Sequence, residues 1–408
     1  MYPDIAKKIP SYVHDILIRL AENGKQGYLV GGSLRDILRG VVPHDFDLTA
    51  SATPDEMLML FKDYRTIPTG LAHGTVTVMA AGNPVEITTH RTDGAYTDSR
   101  HPDSVRFTDC IEEDLARRDF TVNAMAWNDT RGLIDPFGGA RDLACGILRA
   151  VGNPHTRFTE DALRILRLFR FAAGLDFSIE EETRQAAAAC AAGLSDISVE
   201  RILAELSRTV TAPAAAKGLR ALLDAGTAPY VFFDCTIDEA ALEALDKLPE
   251  NAPLRLAALL HQNTPDKLEA LAKRWHASNV FTRALTAAVK ALRLPIPESP
   301  YAARRFVCTQ YPHFADGLLL RAALWGEDTS SALDLCRRVL ADGTAVEIRR
   351  LAVNGRELQD ALGVRPAKTG KLLARLQELV WEEPARNRRE ALLALARNIL
   401  EKEKDFYE

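Results

Sequence analysis

The chain has 408 residues, 47% of them hydrophobic and 26% charged, with a formal net charge of −5; the balance is that of a globular protein, and the length allows two or three domains. No stretch is long and apolar enough to span a membrane, and the segment from Met1 to Lys8 lacks the apolar run of an export signal, so the expected location is the cytoplasm. The six cysteines are scattered without a Cys-x-x-Cys pair, which excludes a zinc ribbon and a disulfide framework.

The run from Gly27 to Leu48 predicts a short strand, a double glycine at Gly31 and Gly32, one helix, and then Asp45 and Asp47 on an extended segment. The glycines leave no side chain between the backbone and a chain of phosphates. The helix that follows aims its N-terminus at an anion, and Arg35 adds a positive charge one turn in. Because side chains alternate on an extended segment, Asp45 and Asp47 share a face while Phe46 and Leu48 point to the core. Further on, Thr75 to Met79 alternates polar and apolar residues, Gly82-Asn83-Pro84 reads as a turn, and Val85-Glu86-Ile87 opens another strand. A carboxylate on a strand paired near Asp45 and Asp47 completes a set of hard oxygen ligands suited to magnesium. A purely structural role gives no reason to cluster three carboxylates at buried or half-buried positions. This is a nucleotide-polymerising site in outline.

Arg91 to Pro102 is polar, holds glycine and proline, and reads as a mobile loop. Arg117-Arg118-Asp119 then precedes an apolar strand or helix from Phe120 to Trp127, in which Asn123 has the chemistry to tie backbone together, and Asp135 to Gly139 supplies a further turn. A helix is predicted from near Thr159. It sets Asp161 and Arg164 three residues apart on one face, continues that row with Arg167 and Arg170, and sends Leu163, Leu166 and Phe169 to the core. A carboxylate accepts from the exocyclic amine of cytosine or adenine, and a guanidinium donates to the ring acceptor beside it. Uracil and guanine present a carbonyl where the amine should be. Beyond residue 150 nearly everything reads helical. Ser178 to Glu181 has the form of a capping box and Ala186 to Ala192 is an alanine-rich helix. Leucine- and alanine-rich stretches run from 199 to 400, with breaks at Pro213, Pro249, Pro295, Pro297 and Pro300.

In their order and spacing these blocks resemble the DNA polymerase β-like nucleotidyltransferase superfamily and, within it, the bacterial CCA-adding tRNA nucleotidyltransferases and bacterial poly(A) polymerases. The likeness extends over residues 27 to about 210, and Leu362 to Lys371 is similar to the family's tail. It implies an α+β fold: a nucleotidyltransferase head with a mixed or antiparallel sheet over 1–150, a helical neck over 151–215, and a helical body and tail over 216–408. The implied activity is template-independent addition of CCA to tRNA from CTP and ATP by two-metal transfer, with Mg2+ on Asp45 and Asp47 and Glu86 as the third catalytic carboxylate. The resemblance further implies that Gly32 and Arg35 hold the triphosphate, that Arg118 contacts the nucleotide, and that Asp161 and Arg164 read the base. Arg167 and Arg170 would hold that face or reach the triphosphate.

Arg91, Asp93, Tyr96 and Arg100 keep the pattern of the flexible loop that the family needs to switch from cytidine to adenosine addition, so terminal A addition is expected. Leu254 to His261 is followed by Gln262, and the His-Asp hydrolase site of some relatives is therefore not expected. Residues 301–408 hold 18 Lys or Arg against 16 Asp or Glu, which predicts RNA contact through local patches and weak non-specific binding. The alternatives are an enzyme adding only the terminal A, a poly(A) polymerase, and a catalytically silent RNA-binding protein on the same fold. The acidic end from Glu401 to Glu408 argues against a basic extension for generic RNA.

Overall fold

The computed structural model describes residues 5–70, 74–93 and 105–402. Its contacts divide the chain into two units, Met1–Asp234 and Cys235–Glu408. In chain order the first unit begins with α1 (Ser11–Glu22), β1 (Gly27–Val30), α2 (Gly31–Leu38), β2 (Phe46–Ala50), α3 (Pro54–Leu60), β3 (Arg65–Gly70), β4 (Thr75–Ala80) and β5 (Asn83–Thr89). There follow β6 (Arg91–Asp93), β7 (Val105–Phe107), α4 (Ile111–Ala116), β8 (Ala126–Asn128), β9 (Gly132–Ile134), α5 (Gly139–Cys145) and β10 (Ile147–Leu148). The helical half comprises α6 (Pro154–Glu160), α7 (Leu163–Leu175), the short β11 (Ser178–Ile179), α8 (Glu181–Ala189), α9 (Val199–Val210), α10 (Ala215–Asp224) and α11 (Ala228–Val231).

Seven strands form one mixed sheet in the order β3-β4-β5-β2-β1-β8-β9. The β2–β5 pair is parallel and the other neighbours are antiparallel, which gives the α+β head expected. All four residues of β1 are buried, as befits a strand with neighbours on both edges and helices on its faces. Along β2 the burial alternates as the sequence requires: Phe46 and Leu48 are buried, while Asp45 just before the strand is exposed and Asp47 half-buried. The β4–β5 turn is tighter than the sequence suggested. Ala80 pairs with Asn83, leaving Ala81 and Gly82 as the two loop residues, both at positive φ, the geometry of a two-residue hairpin turn. Pro84 belongs to β5 itself and lies one residue before β5 gains β2 as its second neighbour.

The predicted helix from Thr159 is in fact two helices broken at Asp161, which is extended at φ −144° and ψ 102°. The predicted capping box also moves. Ser178 sits in β11, and it is Glu180 that caps α8, its carboxylate accepting from the Thr183 backbone N–H at 2.7 Å. The alanine-rich helix stops at Ala189 and passes into a 3-10 turn, Ala191–Asp196, in the run that contains Gly193.

Helix α7 is buried on nearly every side, and its close approach to α10 depends on Gly218. A Cβ there would stand 2.5 Å from the Phe169 carbonyl oxygen and 2.6 Å from the Ala173 Cβ. Helix propensity alone favours Gly218→Ala by about 1 kcal/mol. Overpacking against backbone opposes it by roughly 1–3 kcal/mol or more, so the variant is expected to be net destabilised. Chemical denaturation of the two proteins checks the sign.

In the second unit one buried cluster surrounds Phe306, Leu318 and Cys336 and another surrounds Leu358, Leu376 and Leu392. Pro300 begins a helix, Pro300–Gln310, with Ser299 as its cap, whereas Pro295 and Pro297 lie in the connection before it. Among the described residues no helix is long and apolar enough to cross a membrane.

Candidate active site

The site is built where β1 runs directly into α2. Gly31 takes φ +66°, which favours glycine, and a Cβ there would stand 3.3 Å from Arg118 Nη1 and 3.7 Å from Asp47 Oδ2. The missing side chain keeps open the space between a carboxylate and a guanidinium. Residue Val30 caps α2 without a side-chain bond, so the first N–H groups of the helix remain free for an anion. Ser33 fixes this corner from below: its hydroxyl donates to Val30 O at 2.8 Å and accepts from the Asp47 backbone N–H at 3.4 Å.

The parallel register sets Glu86 opposite Asp47, so their side chains lie on one face of neighbouring strands. Burial, the charges of Asp45 and Glu86, and only a partial offset from Arg118 push the Asp47 carboxyl up to about 6. The expected trio of buried or half-buried carboxylates is corrected here, since Glu86 and Asp45 are exposed and Asp47 alone is half-buried. Asp45 and Asp47 line the central cavity, whereas Glu86 stands beside it on the strand. Among the described residues no three His, Cys, Asp or Glu side chains are drawn together into a ready metal cage.

The cavity measures about 610 Å3 and is lined by eight arginines against four aspartates, a local surplus of positive charge in an acidic protein. It gathers Gly31, Gly32, Arg35, Asp45, Asp47, Arg118, Asp161, Arg164, Arg167 and Arg170, so the nucleotide residues named from the sequence come together, together with two of the three carboxylates. Most of the arginines are held by a carboxylate. Arg118 donates to Asp114 Oδ2 at 3.1 Å, and Arg117 to Asp114 Oδ1 at 2.7 Å; burial works against the Asp114 charge, but the two guanidiniums hold its pKa at about 2. Arg167 makes a two-nitrogen contact with Asp119 Oδ2 at 2.8 and 2.6 Å. Burial likewise opposes the charge on Asp119, and Arg167, Asn123 and the Phe120 N–H overcome it and hold its pKa at about 2. Asn123 thereby ties two walls of the site, donating to Asp119 while accepting from Arg35 at 2.8 Å. Arg170 pairs with Glu205 at 2.5 Å. The guanidiniums of Arg35, Arg167 and Arg170 lie 5.5, 5.4 and 4.1 Å from the centre of the Phe171 ring, which fixes their spacing.

The pair meant to read the base differs from its predicted form. Asp161 is not on a helix with Arg164. It stands between α6 and α7, its Oδ1 accepting from the Leu163 N–H at 3.0 Å and its Oδ2 from Arg201 at 3.3 Å. Arg164 is buried on α7, donating to Arg157 O, Glu160 Oε2 and Arg117 O, which leaves two of its five donors uncommitted. Of the loop residues, Arg91 has its backbone held by Asp114 and Arg117 and Asp93 pairs with Val105 across β6 and β7. Tyr96 and Arg100 lie outside the described residues.

Sequence reasoning missed Arg201 and Arg208, both on α9 and both in the cavity wall. Their signal is a spacing of seven with Glu205 between them, one polar stripe opposite Ile202 and Leu206. Two of the lining donors, Arg118 Nε and Arg201 Nη1, are buried without an acceptor, as donors that await a ligand would be.

Three family profiles match the chain: the poly A polymerase head domain over residues 27–149, the "Probable RNA and SrmB-binding site of polymerase A" over 176–235, and domain 2 of tRNA nucleotidyltransferase over 250–396. The CCA-adding enzyme of Streptococcus thermophilus is 35% identical over 387 residues, which covers 93% of this chain and 94% of that protein. That of Enterococcus faecalis is 34% identical over 396 residues, or 94% of each. The crystal structure of the Bacillus stearothermophilus CCA-adding enzyme in complex with CTP superposes with a TM-score of 0.84 at 29% identity, over 97% of this chain and 98% of that one. With identity of this order sustained from end to end, the chain belongs to the bacterial CCA-adding enzymes of the poly(A) polymerase family.

Proposed function

We propose that this chain completes tRNA 3′ ends by adding C, C and A from CTP and ATP, releasing diphosphate at each addition. The observation that carries this reading is a cavity in which four aspartates, Asp45 and Asp47 among them, meet eight arginines, in a chain whose end-to-end relatives are CCA-adding enzymes. At each step the RNA 3′ oxygen bonds to the α-phosphorus while the bond from that phosphorus to the diphosphate breaks.

Asp45 and Asp47 are the residues that would hold divalent cations, magnesium in our reading, with Glu86 beside them. They are hard oxygen donors; burial first, and then the charges of Asp45 and Glu86, raise Asp47, and a cation would relieve the charge repulsion. When bound, such ions lower the pKa of the attacking hydroxyl and neutralise the departing diphosphate. The other tasks fall to the chain. Gly32, the free N–H groups of α2 and Arg35 take the phosphates, and Arg118 adds its unpartnered Nε. Asp161 and Arg164 read the amine and its neighbouring ring acceptor, while Arg167 and Arg170 shape the wall behind them. We assign Arg91, Asp93, Tyr96 and Arg100 to the switch from cytidine to adenosine. The division of labour is a catalytic head over 1–150, a base-reading neck over 151–215 and a tRNA-binding body and tail over 216–408, working in the cytoplasm.

Thermal melting in the presence of each nucleotide tests the base-reading part. Binding at about 100 times the dissociation constant contributes about 2.7 kcal/mol, so CTP and ATP should each raise the melting temperature by several degrees and UTP and GTP by much less. Equal shifts with all four would leave a triphosphate site that reads no base.

A further inference from the structure

We propose that Arg201 is a specificity-determining residue of this site, which holds the Asp161 carboxylate at one oxygen and offers its own Nη1 to the base edge beside Arg164. The inference rests on the reading of Asp161 and Arg164 as the base-reading pair and adds a second guanidinium to it.

Asp161 has no helix to orient it. Because α6 ends before it and α7 starts after it, its carboxylate is aimed by two contacts: the Leu163 N–H on Oδ1 and Arg201 Nη2 on Oδ2. The first is local and permits a swing about the backbone; the second reaches across 40 residues from α9 and fixes the far oxygen. The pair is partly shielded, with 28% of the Arg201 side chain and 17% of that of Asp161 exposed, so water competes with it less than with a surface pair.

Arg201 Nη1 is buried and has no acceptor. A charged donor left in that state is costly, and it calls for a partner that binds there. The neighbouring guanidinium is less available. Arg164 has spent three donors on Arg157 O, Glu160 Oε2 and Arg117 O. Arg201 also lines the cavity, and its planar fork can place one nitrogen on the carboxylate and the other on the base. Each carboxylate oxygen keeps a lone pair for an exocyclic amine. Carboxylate and guanidinium side by side match the amine-plus-acceptor edge shared by cytosine and adenine. Uracil, with a carbonyl and an N–H in those places, meets an acceptor with an acceptor and a donor with a donor.

The test compares single C addition with CTP and misaddition with UTP on a tRNA transcript ending at the discriminator base, for the wild type, Arg201→Met, Arg201→Lys and Asp161→Ala. The (kcat/KM) ratio of CTP to UTP is expected to fall about 10- to 100-fold in Arg201→Met. Arg201→Lys, which keeps the charge but loses the fork, should recover part of the ratio. In the double variant Asp161→Ala/Arg201→Met the loss should exceed that in Asp161→Ala alone, because the Nη1 contact goes too, but fall short of the two single losses combined, because part of the Arg201 effect acts through Asp161. A merely structural or charge-neutralising role would lower both nucleotides equally and leave the ratio intact, which overturns the inference, as does a wild-type ratio in Arg201→Lys if Arg201→Met does not fold. If Asp161→Ala itself keeps the wild-type ratio, it is the underlying reading of Asp161 that fails.

Discussion

Asp47→Asn is expected to cut nucleotide addition by a factor on the order of a thousand or more while leaving the folded protein at least as stable at neutral pH. The loss follows from Asp47's place. It is the carboxylate at the centre of the acidic edge, between Asp45 before it on the same segment and Glu86 opposite it in β5, and an amide cannot replace its charge toward a cation. The charge stabilisation at stake is several kcal/mol, and each 1.36 kcal/mol is tenfold in rate. The stability half follows from sign. The folded pKa of Asp47 is raised to about 6 from an ordinary value of 3.8, so the ionised form is disfavoured by folding. That penalty grows as pH rises from about 4 to about 6 and is fully present at pH 7. Asparagine, of the same shape and uncharged, removes it. Single-turnover incorporation and a melting curve at pH 7 check both halves, and a divalent cation should raise the melting temperature of the wild type but not of the variant. A variant that melts lower and incorporates nucleotide within a few-fold of wild type would remove Asp47 from the site.

The second large effect is expected at Arg167→Met, this time on stability. Arg167 supplies two hydrogen bonds to one oxygen of Asp119, whose side chain is 8% exposed. Removing it leaves a buried carboxylate with only the Asn123 amide and the Phe120 N–H. Breaking a fully buried pair from one side costs roughly 3–5 kcal/mol, and the cost here falls at or below the low end of that range because 34% of the Arg167 side chain is exposed to water. Its pH dependence follows from the depressed pKa of Asp119, held at about 2 in the fold. The stabilisation is complete above about pH 4 and is lost as pH falls toward 2. In the variant Asp119 takes up its proton at higher pH, so the stability gap between the two proteins should narrow at pH 4. Adding Asp119→Asn to Arg167→Met should recover most of the loss at pH 7, because the uncompensated charge is gone. Urea denaturation of the three proteins at pH 7 and pH 4 measures this. If Arg167→Met unfolds within about 1 kcal/mol of wild type at pH 7, the pair is not holding α7 to Asp119.

What the sequence made legible was local. The Gly31-Gly32 corner, the alternation through Asp45, Phe46, Asp47 and Leu48, and the strand carrying Glu86 are all set by periods of two or by glycine's freedom. The parallel register that brings Glu86 opposite Asp47 is tertiary; only the need of the chemistry for a third carboxylate pointed to it. The break at Asp161 escaped notice because neither glycine nor proline marks it and the run from Thr159 to Phe171 suits one helix. The residue ends α6 and turns its carboxylate onto the Leu163 N–H, a local bond that competes with helix. Arg201 and Arg208 were lost in a helix that reads as ordinary amphipathic sequence, since nothing local says that the polar stripe of α9 faces a cavity. Arginines at 117, 118, 164, 167 and 170 were visible as a concentration of charge, but not that Asp114, Asp119, Glu160 and Glu205 hold them apart.

The central claim is that one chain adds C, C and then A and stops. Three tRNA transcripts, ending at the discriminator base, at C and at CC, are incubated with the protein and magnesium, with CTP and ATP separately and together, and the products are resolved at single-nucleotide length. The account predicts that all three end at CCA when both nucleotides are present, and that CTP alone halts at CC. Extension of the CC-ending transcript alone, long A tails, or no extension at all would each contradict it.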